Sequence, residues 1–134
     1  MANESAASSA TPPPARVLVV DDERDGADTL AQLLEMLGFE PIVAYDGEAG
    51  VAAALEHKPA VVILDLHMPH MGGVKACTRI REAAGTEAIK VVALTGSNSA
   101  ADREAAQLAG FDHFLLKPVM VAALLQVLPP AAPG

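Results

Sequence analysis

The sequence predicts an α/β fold, a doubly wound parallel sheet with helices on both faces. Two observations carry this prediction. Five short apolar runs alternate with amphipathic segments, and several of the runs are unbroken, as in strands buried on both faces. A parallel crossover needs a long connection, and each intervening helix supplies one.

The elements follow in chain order. "RVLVV" (16–20) reads as the first strand. Leu30, Leu33, Leu34 and Leu37 recur at helical spacing, and Gly38 is a stop signal. "PIVA" (41–44) is the second strand, and Asp46 is placed to cap a second helix near 47–56. "AVVIL" (60–64) is the third strand, and Val74, Cys77 and Ile80 mark the third helix. "KVVAL" (90–94) precedes a fourth helix that Ser99 and Asp102 open and Gly110 closes. "HFLL" (113–116) and "VMVAALLQVL" (119–128) give the last strand and helix. The Ala/Pro/Ser-rich ends, 1–14 and 129–134, read as disordered tails around one folded unit at 15–128.

Composition narrows the function. A chain of 134 residues, 51% hydrophobic and 19% charged, suits one domain. A net charge of −8 without a Lys/Arg cluster removes the electrostatic basis for holding nucleic acid or an anionic membrane. No apolar run approaches a bilayer span, and the N-terminus lacks a signal-peptide pattern, so a cytoplasmic protein is expected. Cys77 reads as a small core residue. His67 and His70 lack the further ligands of a zinc site, His57 and His113 show no role, and Met36, Met68, Met71 and Met120 read as core or loop filler.

Ligands in such sheets lie beyond the carboxyl ends of the strands. There the chain places Asp21 and Asp22, Asp65, Thr95 and Lys117. The Asp pair alone would suit a helix cap, Thr95 a turn, and Lys117 a surface position, but none of these readings explains their shared rim. Three clustered carboxylates repel unless a cation neutralises them. Mg²⁺ prefers carboxylates, a carbonyl and water, and Asp22, Asp65 and the His67 carbonyl could supply its protein ligands. A carboxylate is also a competent nucleophile towards phosphorus, and a metal, an ammonium and a hydroxyl would complete the needs of phosphoryl transfer.

"VLVVDDERDGADTLAQLLEMLGF", "VVILDLHMPHMGG", "VVALTG" and "FLLKP" resemble, in order and spacing, the receiver domain of bacterial two-component response regulators, the chemotaxis-regulator-like kind. The resemblance implies a flavodoxin-like fold, five strands ordered 2-1-3-4-5 with five helices. It implies Asp65 as phosphoacceptor, Asp21 and Asp22 as the acids holding Mg²⁺, Thr95 as the switch hydroxyl, Lys117 as the phosphate-contacting lysine, a cis Lys117–Pro118 bond and Phe114 as the switch aromatic. His67 and Ser97, two residues beyond Asp65 and Thr95, fall where the family tunes phosphoryl lifetime.

The implied partners are a histidine kinase or histidine phosphotransfer protein and an output protein that reads the face of helix four, strand five and helix five. The implied role is a switch that assists its own phosphorylation and dephosphorylation, without turnover of external substrates. Two other α/β readings fit less well. An aspartyl-phosphate phosphatase normally needs a second acid where His67 stands, and the acids of "DDERDG" would repel a flavin phosphate. A degenerate receiver would have lost part of the site. The chain is expected to be a stand-alone receiver or a receiver from a hybrid kinase, and its own tail favours the former. In helix five, Val121, Leu124, Leu125 and Leu128 predict the packed face, with Met120, Ala123, Gln126 and Val127 outward. That apolar outer face is either a tolerated Ala-rich surface or a contact for a partner or second copy.

Overall fold

The computed structural model describes residues 14–130, so the expected tails lie outside the described residues apart from Pro14, Pro129 and Pro130. Five strands and five helices alternate: β1 (Arg16–Val20), α1 (Arg24–Met36), β2 (Glu40–Ala44), α2 (Gly47–His57), β3 (Val61–Asp65), α3 (Gly73–Glu82), β4 (Lys90–Thr95), α4 (Ala100–Ala109), β5 (His113–Leu116) and α5 (Val121–Val127). The strands form one parallel sheet in the order β2-β1-β3-β4-β5. This is the doubly wound, flavodoxin-like arrangement, and the chain reverses its winding between β1 and β3.

Side chains alternate across each strand, so every central strand feeds two cores. Leu18, Val20, Val62 and Leu64 pack with Val51, Ala54, Cys77 and Ile80 from α2 and α3. Val17, Val19, Val61 and Ile63 pack on the other face with Leu30 and Leu34 of α1 and Leu124 of α5. Leu66, Ala93 and Ala106 form a smaller cluster beneath α4, against which Phe111 and Phe114 pack.

Local signals end the helices where expected. Asp46 caps α2 by accepting the Ala49 N–H, and Ser99 caps α4 by accepting the Asp102 N–H. Gly110 closes α4 at φ 102°, a left-handed conformation that glycine adopts without strain.

Two packing expectations are corrected. Val74 is exposed, and α3 turns Ala76, Cys77 and Ile80 inward instead. In α5 the buried stripe is Leu124 and Leu128, with Ala123 and Val127 packed beside them, while Val121 and Leu125 face outward. Periodicity could not set the rotation of this helix, because a seven-residue segment apolar nearly all round fits more than one phase.

Candidate functional site

The carboxyl edge of the sheet gathers the residues that the sequence singled out. Asp65 and Thr95 are the last residues of β3 and β4, one position further along their strands than the apolar runs alone suggest. Asp65 shares the strand parity of Val61 and Ile63, and its rigid backbone carries the carboxylate at the mouth of the β1/β3 crevice. Asp21 follows β1 and is buried, whereas its neighbour Asp22 is exposed. Oxygens of Asp21, Asp22 and Asp65 all lie within 4.8 Å of one another.

The loop after β3 turns sharply because its glycines permit it. Gly73 opens α3 directly against the backbone of β3, where any side-chain carbon would strike the Asp65 carbonyl and the Leu66 Cα. Its N–H bonds the Leu66 carbonyl at 2.9 Å, which folds the loop back beneath the acceptor.

Lys117 enters from the end of β5. Its ammonium donates to Asp65 Oδ2 at 3.0 Å and lies 3.0 Å from Asp21 Oδ2. The His67 N–H donates to Asp65 Oδ1, and the Glu23 N–H donates to Asp21 Oδ1, each at 3.0 Å. Burial pushes the Asp65 carboxyl above its ordinary value, and the adjoining Asp21 adds to this against the opposing pull of the His67 N–H and Lys117. Burial disfavours the charge on Lys117, but the two carboxylates together raise its pKa. One cation thus serves two buried acids, with a third acid at the rim.

The remaining predicted residues surround this pair. Thr95 is fully buried and its Oγ1 accepts the Ser97 N–H at 3.1 Å, which leaves the hydroxyl proton to donate elsewhere. The Lys117–Pro118 bond is cis, as expected. Phe114 is half-buried against the cluster beneath α4, and the Arg103 guanidinium lies over its ring at 4.4 Å while donating to Asn98 Oδ1 at 2.7 Å. His67 stands exposed at the rim, and its Nε2 meets Asp102 Oδ2 at 3.0 Å. His70 lies apart at φ 68°, with no counterpart that would make a zinc site among the described residues. Cys77 is buried in the core and its thiol is pushed up to about 11 by burial, which suits packing and not nucleophilic work.

Asp102 and Arg103 were not read from the sequence as site residues. Asp102 lies 35 positions from His67, a separation with no local pattern to reveal it.

The sequence matches the response regulator receiver domain over residues 17–129. The chain belongs to this family. It is 38% identical over 110 residues to the transcriptional regulatory protein PrrA of Mycobacterium bovis, which covers 82% of the chain and 46% of PrrA. The chain thus spans about half the length of that relative. Protein PilH of Pseudomonas aeruginosa is 34% identical over 114 residues, covering 85% of the chain and 94% of PilH. Chemotaxis protein CheY4 of Vibrio cholerae superposes with a TM-score of 0.80 at 27% identity, covering 85% of this chain and 98% of that one. The receiver domain of Saccharomyces cerevisiae Ssk1, solved together with the histidine phosphotransfer protein Ypd1, superposes at 0.76 with 28% identity, covering 86% and 87%. Residues 17–129 therefore form a two-component receiver domain. Among its described residues no helix is long and apolar enough to cross a membrane.

Proposed function

We propose that residues 15–128 form a phosphorylation-controlled switch in which Asp65 accepts a phosphoryl group from a histidine kinase or histidine phosphotransfer protein. The observation that carries this reading is the charge imbalance at one rigid spot: three carboxylates converge within 4.8 Å, and among the described residues Lys117 alone bridges the two buried ones. Such a cluster is costly for a fold to keep without an incoming cation or reaction to use it.

The donor set fits Mg²⁺, since Asp21, Asp22 and Asp65 each offer an oxygen and the His67 carbonyl belongs to the same loop. A bound Mg²⁺ would supply charge neutralisation for the transferred group. The chain's own residues do the rest. Asp65 is the nucleophile, held by the His67 N–H and Lys117. Lys117 offers its ammonium to the arriving oxygens, and Thr95 offers a hydroxyl proton.

The new charge biases a two-state element. Thr95 is drawn towards the phosphoryl group, the loop carrying Ser97 and Asn98 moves with it, and the Arg103 cover over Phe114 is disturbed. The exposed face of α4, β5 and α5, which includes Leu116, Met120, Val121 and Leu125, then changes its preference for an output partner or a second copy.

The test is labelling with acetyl phosphate followed by intact mass. One phosphoryl group is expected in Mg²⁺ and none after chelation. Thr95→Ala should still label while its partner affinity no longer responds to labelling. Equal labelling in Mg²⁺ and in chelator would overturn the metal-assisted acceptor reading.

A further inference from the structure

Asp102, in the first turn of α4, reaches back across the rim to the His67 imidazole. The Asp102 side chain is partly exposed, at 23%, and the imidazole it holds is more so, at 63%. The His67 contact holds this carboxyl below the usual carboxylate value, and the Asp102 N–H donates to Ser99 Oγ at 3.0 Å. Asp102 therefore gathers the loop that follows Asp65 and the loop that follows Thr95.

His67 is rooted beside the reacting atom, because its own N–H donates to Asp65 Oδ1. Its side chain is the nearest in sequence with a nitrogen able to orient water or accept a proton. Whether that nitrogen is available depends on what else it bonds. At 3.0 Å from Asp102, Nε2 is engaged towards α4.

We propose that Asp102 is a positioning residue that keeps the His67 imidazole turned towards α4, and so protects the aspartyl phosphate at Asp65 from attack by water. This inference rests on the phosphoacceptor reading and deepens it. The step restrained is hydrolysis: water oxygen bonds to phosphorus, the bond from phosphorus to the Asp65 oxygen breaks, and the carboxylate and inorganic phosphate leave with the water's protons. A released imidazole would orient the water and take up one of those protons. An exposed contact of this kind holds a modest population bias, so the expected change in rate is about two- to fivefold.

The experiment measures loss of the phosphoryl group from the whole chain, labelled with acetyl phosphate in Mg²⁺ and then freed of donor. Asp102→Ala should shorten the lifetime about two- to fivefold. The same substitution in a His67→Ala background should leave the lifetime of that background unchanged, because no imidazole remains to release. A general loosening of α4 would shorten both equally, and that outcome would overturn the proposal, as would an unchanged or lengthened lifetime in Asp102→Ala alone. Failure of the wild type to label at all would overturn the acceptor reading itself; labelling with no effect of Asp102→Ala would overturn only the positioning role.

Discussion

The two edges of the same sheet each carry a buried-end cation, and they are built to opposite rules. At the amino edge, Arg81 of α3 donates to the carbonyls of Gly110, Thr86 and Ile89 and to Asp112 Oδ2, the last at 2.7 Å. Asp112 is answered in turn by the Val91 N–H at 2.9 Å. One cation meets one acid, and neutral acceptors take up its other donors, so this edge is balanced and closed. At the carboxyl edge, Lys117 meets two buried acids with a third beside them, and the balance is negative. The difference separates a charge that fastens the fold from charges arranged to receive something.

The comparison would break most visibly at Arg81. Arg81→Ala takes the guanidinium from the carbonyls of Gly110 and the buried Ile89 and leaves Asp112 without its cation, and should cost about 2–4 kcal/mol in denaturant unfolding. Mg²⁺ should restore none of it. Lys117→Ala should cost less, about 1–2 kcal/mol in chelator, because the lysine is itself partly exposed and the buried acids it leaves can relieve their repulsion by taking up a proton. Saturating Mg²⁺ should restore most of that loss. If both variants respond alike to Mg²⁺, the two edges are not different in kind.

A smaller effect of opposite sign sharpens the contrast. Burial raises the Asp65 carboxyl, so its contribution to stability is present below the ordinary carboxylate value and is lost as pH rises through the raised value. At neutral pH in chelator, Asp65→Asn should therefore unfold at a higher temperature than wild type, and the gap should close as the pH is lowered towards about 4. A lower midpoint for Asp65→Asn would contradict the picture of an unrelieved acid.

A further effect lies on the alkaline side. The Cys77 thiol, raised from 9.0 to about 11, stays neutral in the fold while the unfolded chain ionises, so stability falls as pH climbs between those values. Lys117, also raised, adds its own loss as pH rises through its folded value. Cys77→Ala should flatten the first part of that decline in a thermal melt series from pH 8 to about 11.

Much of this was legible in the sequence, for reasons that differ by residue. Val17 to Val20 and Val61 to Leu64 are unbroken apolar runs, and only a strand covered on both faces explains them. Asp21, Asp65, Thr95 and Lys117 could be read together because a parallel sheet sends all its strand ends to one edge. The rotation of α5 was not legible, since Val121, Leu124, Leu125, Val127 and Leu128 are interchangeable to any hydrophobic period. The Arg81 network and the contact between His67 and Asp102 were hidden for another reason. Each joins residues about thirty positions apart, Arg81 to a carbonyl and a carboxylate before β5 and His67 to a carboxylate of α4, and neither leaves a spacing to count.

The most direct test of the central claim is to find the bond. After labelling in Mg²⁺, borohydride reduces an acyl phosphate and leaves homoserine in place of the aspartate, which peptide mass mapping can locate. The account predicts homoserine at position 65 alone. Homoserine at 21 or 22, or a stable phosphoryl adduct on His67 with Asp65 unmodified, would contradict it.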